Sequence, residues 1–241
     1  MPEKKNIISV RNFRIGFGGK TVIKNLSFDV KQGEIFGLLG SNGCGKTTTI
    51  RALLGIYPAE RGELLINGKP FTPGKDIKVG YLPEERGLYK KESVIDVMNY
   101  FGKLRGLKQP KKWSLSYLKR VGLEDHAKTR VGRLSQGQQQ KVQLGITIMN
   151  NPDILILDEP TKGFDPVNRR LLLEIIDELH QRGSTIIMIT HYMDEVEKLC
   201  DRILLLKDGT AYAYGTVSEV RRKHRFKSLD QIFVDIYGAK E

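Results

Sequence analysis

Three stretches of this chain carry residue types that act on phosphate groups. The first is EIFGLLGSNGCGKTTTI, residues 34–50. It contains Gly40-x-x-x-x-Gly45-Lys46-Thr47, the spacing of a phosphate-cradling loop. Glycines at Gly40, Gly43 and Gly45 let successive backbone N–H groups turn inward, past Ser41, Asn42 and Cys44. The helix that opens at Lys46 adds partial positive charge where phosphates would sit. Lys46 supplies a full charge, and the Thr47 hydroxyl, with Thr48 beside it, suits a Mg²⁺ ion. Cys44 reads as a small residue tolerated in the loop, because no histidine accompanies it in a thiol pattern.

The second stretch is ILILDEP, 154–160. Asp158 and Glu159 follow four apolar residues and must meet a cation or water, since a buried unpaired charge is costly. Asp158 suits Mg²⁺, and Glu159 suits polarising a water for attack on a terminal phosphate. Their structural alternative is a cap for the following helix. The third is His191, which directly follows the apolar STIIMIT. A lone histidine is usually structural, but this one reaches the same sheet edge as the carboxylates.

The elements that must position these groups can be read from periodicity. IISVRNF, LSFDV, EIFGLL and ELLI read as strands separated by glycine-rich turns. VIDVMNYFGKLRG, WSLSYLKRVG and QQQKVQLGITIMN have helical apolar spacing. After residue 150, strands and helices alternate again: ILIL, PVNRRLLLEIIDELHQRG, STIIMIT, MDEVEKLC, then a hairpin-like pair from RILLLKDG and TAYAYGT. The pattern predicts an α/β lobe over 1–87 and 151–215, an inserted helical lobe over 88–150 and a short helical tail over 216–241. Unbroken apolar strands such as ILIL predict a parallel sheet covered on both faces.

At 241 residues the chain is long enough to bury a proper core. It has no apolar run of membrane-spanning length and no secretory leader pattern in MPEKKNIISV. Cys44 and Cys200 make no disulfide framework, so the cytoplasm is the default compartment. The net charge of +12 favours anionic partners such as nucleotides, nucleic acid or an acidic membrane, or else marks a solvated lysine-rich surface. EVRRKHRFK, 219–227, is the densest basic segment; it fits a phosphate backbone, anionic lipid, or one charged helix end.

Taken together, these motifs resemble those of the ATP-binding cassette (ABC) ATPase subunits of membrane transporters. GSNGCGKTT looks like that family's Walker A motif and ILILDE its Walker B motif. LSQGQ, 134–138, looks like the signature LSGGQ, with Gln136 for a glycine; GFD, 163–165, stands at the D-loop position and His191 at the switch-histidine position. The resemblance covers nearly the whole chain. It implies a P-loop NTPase core of RecA-like type with an antiparallel β subdomain and an inserted all-helical lobe. It implies ATP and Mg²⁺ as ligands, with Gly40, Ser41, Asn42, Gly43, Cys44, Gly45, Lys46, Thr47 and Thr48 binding ATP, Glu159, His191 and Lys46 catalytic, and Thr47, Asp158 and Glu84 at the metal. Phe17 falls where the family stacks an aromatic on adenine, with Phe13 a weaker candidate. A second cassette, identical or different, would supply Ser135, Gly137 and Gln138 in trans. The partner would be an integral-membrane permease and the location the inner face of the cell membrane; no nucleic-acid partner is expected.

Two positions depart from the family pattern. Gln136 adds bulk in the signature, and its fit depends on pointing outward. GYLPE, 80–84, matches the loop that usually carries glutamine, with Glu84 in its place. Glutamine offers a donor and an acceptor, whereas an ionised glutamate only accepts. We expect Glu84 to keep the metal-facing role and to tune hydrolysis by charge, moderated by Arg86, with Glu85 a solvated neighbour. LPEERGLY and SLDQIFVDIYG are similar to ATPases of two-component exporters, which leans the direction of transport toward export. The longer accessory domain that many of them carry is expected to be reduced or absent. The alternative function is a non-transport ABC ATPase acting on nucleic acid or ribosomes, to which the positive charge is the main pointer. DNA-repair relatives carry coiled coils or zinc insertions, and translation-factor relatives carry two cassettes; this chain shows neither.

Overall fold

The computed structural model describes residues 5–74, 77–85 and 87–238. Strands β1 (Asn6–Phe17) and β2 (Lys20–Lys31) form an antiparallel pair turned at Gly18 and Gly19. Their inward residues, Val10, Phe13 and Ile15 against Ile23, Leu26 and Phe28, are buried. Strand β4 (Arg61–Ile66) adds to the other edge of β1, also antiparallel. These three form the expected antiparallel subdomain.

The central strands are β3 (Ile35–Leu39), β5 (Val79–Leu82), β6 (Ile154–Asp158), β7 (Thr185–Ile189) and β8 (Arg202–Lys207). They pair parallel, and β9 (Thr210–Thr216) returns antiparallel on β8. Among the described residues the nine strands run β4-β1-β2-β9-β8-β3-β7-β6-β5. Every residue of β3, β6 and β7 is buried, as a sheet covered on both faces requires. β5, which reads as a buried strand in the sequence, pairs among the described residues only with β6 and is the outermost strand there. Only alternate residues of it, Gly80 and Leu82, are fully buried.

Because side chains alternate along a strand, the sheet feeds two apolar cores. Phe36, Ile156 and Ile187 join helix α1 (Lys46–Leu53) and the inner face of β1–β2 in one core. Leu39, Leu157 and Met188 face the other core, with α5 (Pro166–Gln181) and α6 (Met193–Leu199). That second core continues into α2 (Val94–Leu104), α3 (Pro110–Arg120) and α4 (Gln136–Ile148), the helical insertion. The insertion is thus welded to the sheet by one body of buried side chains. Burial on this scale stabilises each aliphatic by roughly 1.5–3 kcal/mol relative to water.

Local signals set the helix ends. Ser93 caps α2, Asp165 caps α5 ahead of Pro166, and Ser135 caps α4 in a reciprocal box with Gln138. The basic segment 219–227 spans the end of α7 (Val217–Lys223) and the turn into α8 (Leu229–Tyr237). Lys227 there pairs with Asp235 of α8 at 2.6 Å. Among the described residues no helix is long and apolar enough to cross a membrane.

Candidate functional site

The loop between β3 and α1 is shaped by two glycines that nothing larger can replace. Gly40 has φ 156°, and a methyl on it would lie 2.6 Å from the Leu206 carbonyl oxygen. Gly45 has φ 107°, and a methyl there would lie 2.4 Å from Ile23 Cδ1. The backbone is therefore free to curl, as only glycine permits. Lys46 folds back inside the curl, its Nζ donating to the Gly40 and Ser41 carbonyls at 2.8 and 3.0 Å. Among the described residues no side chain caps α1, whose N-cap is Gly45. Its first N–H groups stay available to an anion, which the helix dipole also favours.

These residues line a cavity of about 540 Å³. Gly40–Gly43 and Gly45–Thr48 form one wall, and Asp158, Glu159 and His191 the facing one. Cys44 is not on the wall but behind it, half-buried. Burial pushes its thiol up from the ordinary value, so it stays protonated, in keeping with a passive small residue.

The strand ends position the acids. β6 leads Asp158 out beside α1, where Thr47 Oγ1 donates to Asp158 Oδ2 at 2.8 Å. Asp158 is buried, and that burial raises its pKa above the usual carboxylate value. The Thr47 hydrogen bond and Lys46 act the other way, while Glu84 and Glu159 add repulsion. Glu159 sits in the left-handed region at φ 50°, with its N–H donating to the Ile189 carbonyl at 2.8 Å. For a non-glycine residue this backbone costs about 1 kcal/mol or more, and such strain gathers at functional sites. Its Oε2 lies 2.8 Å from His191 Nδ1, yet it is buried and makes no aligned hydrogen bond. An acceptor with His191 as its near neighbour is thus held in the cavity.

His191 itself is half exposed and packs on Tyr192, ring centres 4.3 Å apart. Arg169 of α5 lies over the Tyr192 ring at 4.6 Å and pairs with Asp194 and Glu195, the latter at 2.6 Å. The histidine loop is thereby clamped to the helix that follows the D-loop position.

Glu84 and Glu159 share the cavity, as the sequence suggests, but the neighbours of Glu84 could not be read from it. Lys162 Nζ pairs with Glu84 Oε1 at 2.6 Å, and both line the cavity. Glu85 points away, largely exposed, with Arg51 at 3.6 Å. Arg86, expected to moderate Glu84, lies outside the described residues. Phe17 is exposed at the end of β1, outside the cavity wall, edge-to-face with Tyr57 at 5.2 Å. Phe13 is fully buried in the core and can offer no adenine surface.

Ser135, Gly137 and Gln138 stand at the start of α4 and do not line this cavity. Ser135 and Gln138 bond each other in the capping box, and Gln136 is exposed. Farther along α4, Gln140 Nε2 donates to the Glu159 and Pro160 carbonyls at 3.2 and 2.8 Å. Gln143 Nε2 donates to the Glu85 carbonyl at 3.2 Å. Lys162, Gln140, Gln143 and Phe233, which also lines the cavity, were invisible in the motifs. Lys162 carries a faint signal, a cation three residues after Glu159.

The oxygen donors fit Mg²⁺. Among the described residues no group of three or more His, Cys, Asp or Glu forms a protein cage for a metal. Magnesium typically takes one or two protein oxygens and completes its shell with water and phosphate; Thr47 and Asp158 would be those oxygens. The Glu84 carboxylate could join only by sharing or releasing Lys162.

The sequence profile described as ABC transporter matches residues 23–162. An uncharacterized ABC transporter ATP-binding protein of Methanocaldococcus jannaschii is 47% identical over 90% of this chain and 80% of its own length. The linearmycin resistance ATP-binding protein LnrL of Bacillus subtilis is 37% identical, over 89% of this chain and 70% of its own. The Nod factor export ATP-binding protein I of Burkholderia lata is 38% identical, over 86% and 70%. A solved ATP-binding subunit of an ABC transporter superposes with a TM-score of 0.87 at 28% identity, covering 95% of this chain and 99% of that one. With a family profile over more than half of its residues and relatives of this identity and coverage, the chain belongs to the ABC transporter family as an ATP-binding subunit.

Proposed function

We propose that the chain hydrolyses ATP with Mg²⁺ and drives transport by pairing with a second cassette on a membrane permease. The observation that carries this reading is the convergence, on one cavity, of Lys46, the Thr47–Asp158 pair and the Glu159–His191 pair. In this reading Lys46 and the loop N–H groups hold the β- and γ-phosphates. Glu159 accepts a proton from the attacking water, whose oxygen bonds to the γ-phosphorus as the bond to the β–γ bridging oxygen breaks. His191 orients Glu159 and the γ-phosphate. The metal, when bound, neutralises the charge that builds on the phosphate oxygens.

Ser135, Gly137 and Gln138 of a second copy or a related cassette would close over the same ATP, with α4 aimed at its γ-phosphate. We take residues 88–150 as the part that carries this closure to the permease. Gln140 and Gln143 support that reading, because they tie α4 to the backbone of Glu159 and Glu85 within one chain. The setting is then the cytoplasmic face of the cell membrane. Export is the favoured direction, in line with relatives named for Nod factor export and linearmycin resistance.

The test is ATPase activity of the purified chain, with Lys46→Ala beside it, and recovery of a polytopic membrane protein on affinity purification from the native host. Wild-type turnover no higher than that of Lys46→Ala would refute the hydrolytic reading.

A further inference from the structure

We propose that α8 is a wall of the nucleotide site: Phe233 closes the phosphate end of the cavity and Tyr237 seats the loop that lines it. This deepens, and rests on, the ATP-binding reading above. Phe233 lines the cavity with Gly40–Gly43 and His191. Tyr237 stands one turn later on the same face of α8, ring centres 4.4 Å apart. The Tyr237 hydroxyl donates to the Leu206 carbonyl at 2.8 Å. A methyl on Gly40 would lie 2.6 Å from that same oxygen and 3.4 Å from Tyr237 Oη. The first glycine of the loop, the end of β8 and the α8 tyrosine therefore meet at one point.

The helix is fixed well enough to serve as a wall. Leu229, Ile232 and Ile236 are buried in the larger core, leaving the aromatic face half-buried toward the loop. Ser228 caps the helix in a reciprocal box with Gln231. Leu229 N–H donates to Glu197 Oε1 at 2.7 Å, and Lys207 Nζ to the Ile236 carbonyl at 2.8 Å. An apolar ring beside bound phosphates gives them no hydrogen bond. It displaces water, and in the drier site the Lys46 charge and the loop N–H groups act more strongly. The SLDQIFVDIYG segment thus gains a task at the site.

The test is equilibrium binding of ATP without divalent cation, so that nothing turns over. Wild type against Lys46→Ala settles the underlying reading first: if the two bind alike, ATP binding by this loop fails, and with it the inference. If wild type binds more tightly, Phe233→Ala is expected to bind about tenfold more weakly. Phe233→Leu should regain most of that, and Val234→Ala, on the exposed side of the same helix, should bind as wild type. Tyr237→Phe, which loses one hydrogen bond, should bind about threefold more weakly. With Mg²⁺ added, the KM of Phe233→Ala should rise while kcat stays within about twofold. Melting of the nucleotide-free variants checks folding; if Phe233→Ala does not fold, Tyr237→Phe carries the decision. Equal affinity in wild type and the α8 variants would overturn the proposal. So would an equal loss in Val234→Ala, or tighter binding in Phe233→Ala, which would make α8 an obstruction.

Discussion

Glu84 and Lys162, 78 positions apart, meet at 2.6 Å on the wall of the cavity. The pair joins the loop after β5 to the turn after β6, on either side of Asp158. It gives Glu84 a counter-charge that a glutamine would not need. Both side chains are about half exposed, so in the resting protein the pair is worth well under about 1 kcal/mol.

Glu84→Gln is therefore expected to leave stability and ATP affinity near wild type and to change turnover or metal preference. Lys162→Met should shift turnover too, and the double variant should differ from the sum of the singles, because the groups are in contact. Steady-state ATPase with Mg²⁺ and with Mn²⁺ on all four proteins reads this. Identical rates across the set would show that the pair has no part in hydrolysis.

Glu159→Gln should cut turnover about a hundredfold or more, the usual range for a lost general base. ATP binding should survive, because the loop and Lys46 are untouched. Size-exclusion chromatography with ATP and Mg²⁺ should show a dimer that wild type forms only transiently. Wild-type turnover in this variant would remove Glu159 from the role of base.

Asp158 links chemistry to stability. Its carboxyl titrates above its unfolded value because it is buried, so folding takes up a proton between the two values. Raising pH through that window removes stability, and at neutral pH the buried charge is a cost. Asp158→Asn should thus melt higher than wild type at pH 7 without nucleotide. The advantage should vanish on acidification to about pH 4, near the ordinary aspartate value. The same variant should lose the extra melting protection that Mg²⁺ adds to ATP. Thermal scans from pH 4 to pH 8 check both signs; a gain that grows on acidification would contradict the assignment.

Arg169 holds down a buried acid. Glu195 is fully buried, and that burial raises its pKa despite the Arg169 contact. Arg169→Ala leaves it with the Thr161 hydroxyl but without a counter-charge and should cost about 2 kcal/mol, below the range for wholly buried pairs because the arginine is partly exposed. Arg169→Ala with Glu195→Gln should recover much of this in a urea titration. Turnover should fall in Arg169→Ala even where it is folded, since Tyr192 and His191 lose their clamp. A double variant no more stable than Arg169→Ala would count against an unpaired charge as the cause.

What the sequence shows of the site is what lies close in the chain. Gly40 to Thr47 acts through its own backbone, so its spacing alone discloses its chemistry. Asp158 and His191 are legible because each directly follows an apolar strand, and parallel strands deliver their ends to one edge. Gln140, Lys162 and Phe233 act across 19 to about 190 residues of chain, through contacts set by packing angles that no local pattern carries. β5 shows the same limit: VGYL holds three large apolar side chains, and only the sheet order shows that, among the described residues, nothing pairs beyond it.

β6 is uniformly aliphatic, with isoleucines facing one core and leucines the other. Sliding it by one residue would exchange side chains of equal volume, so hydrophobicity barely distinguishes the correct alignment from its neighbour. The charged end does distinguish it. One step inward, Asp158 would lose Thr47 and carry its carboxylate into oil. The acid that meets Thr47 would thus also serve as the ratchet tooth that indexes the strand. Asn at 158 would keep the tooth and lose the chemistry, whereas Leu would strip both and leave the sheet free to freeze out of step.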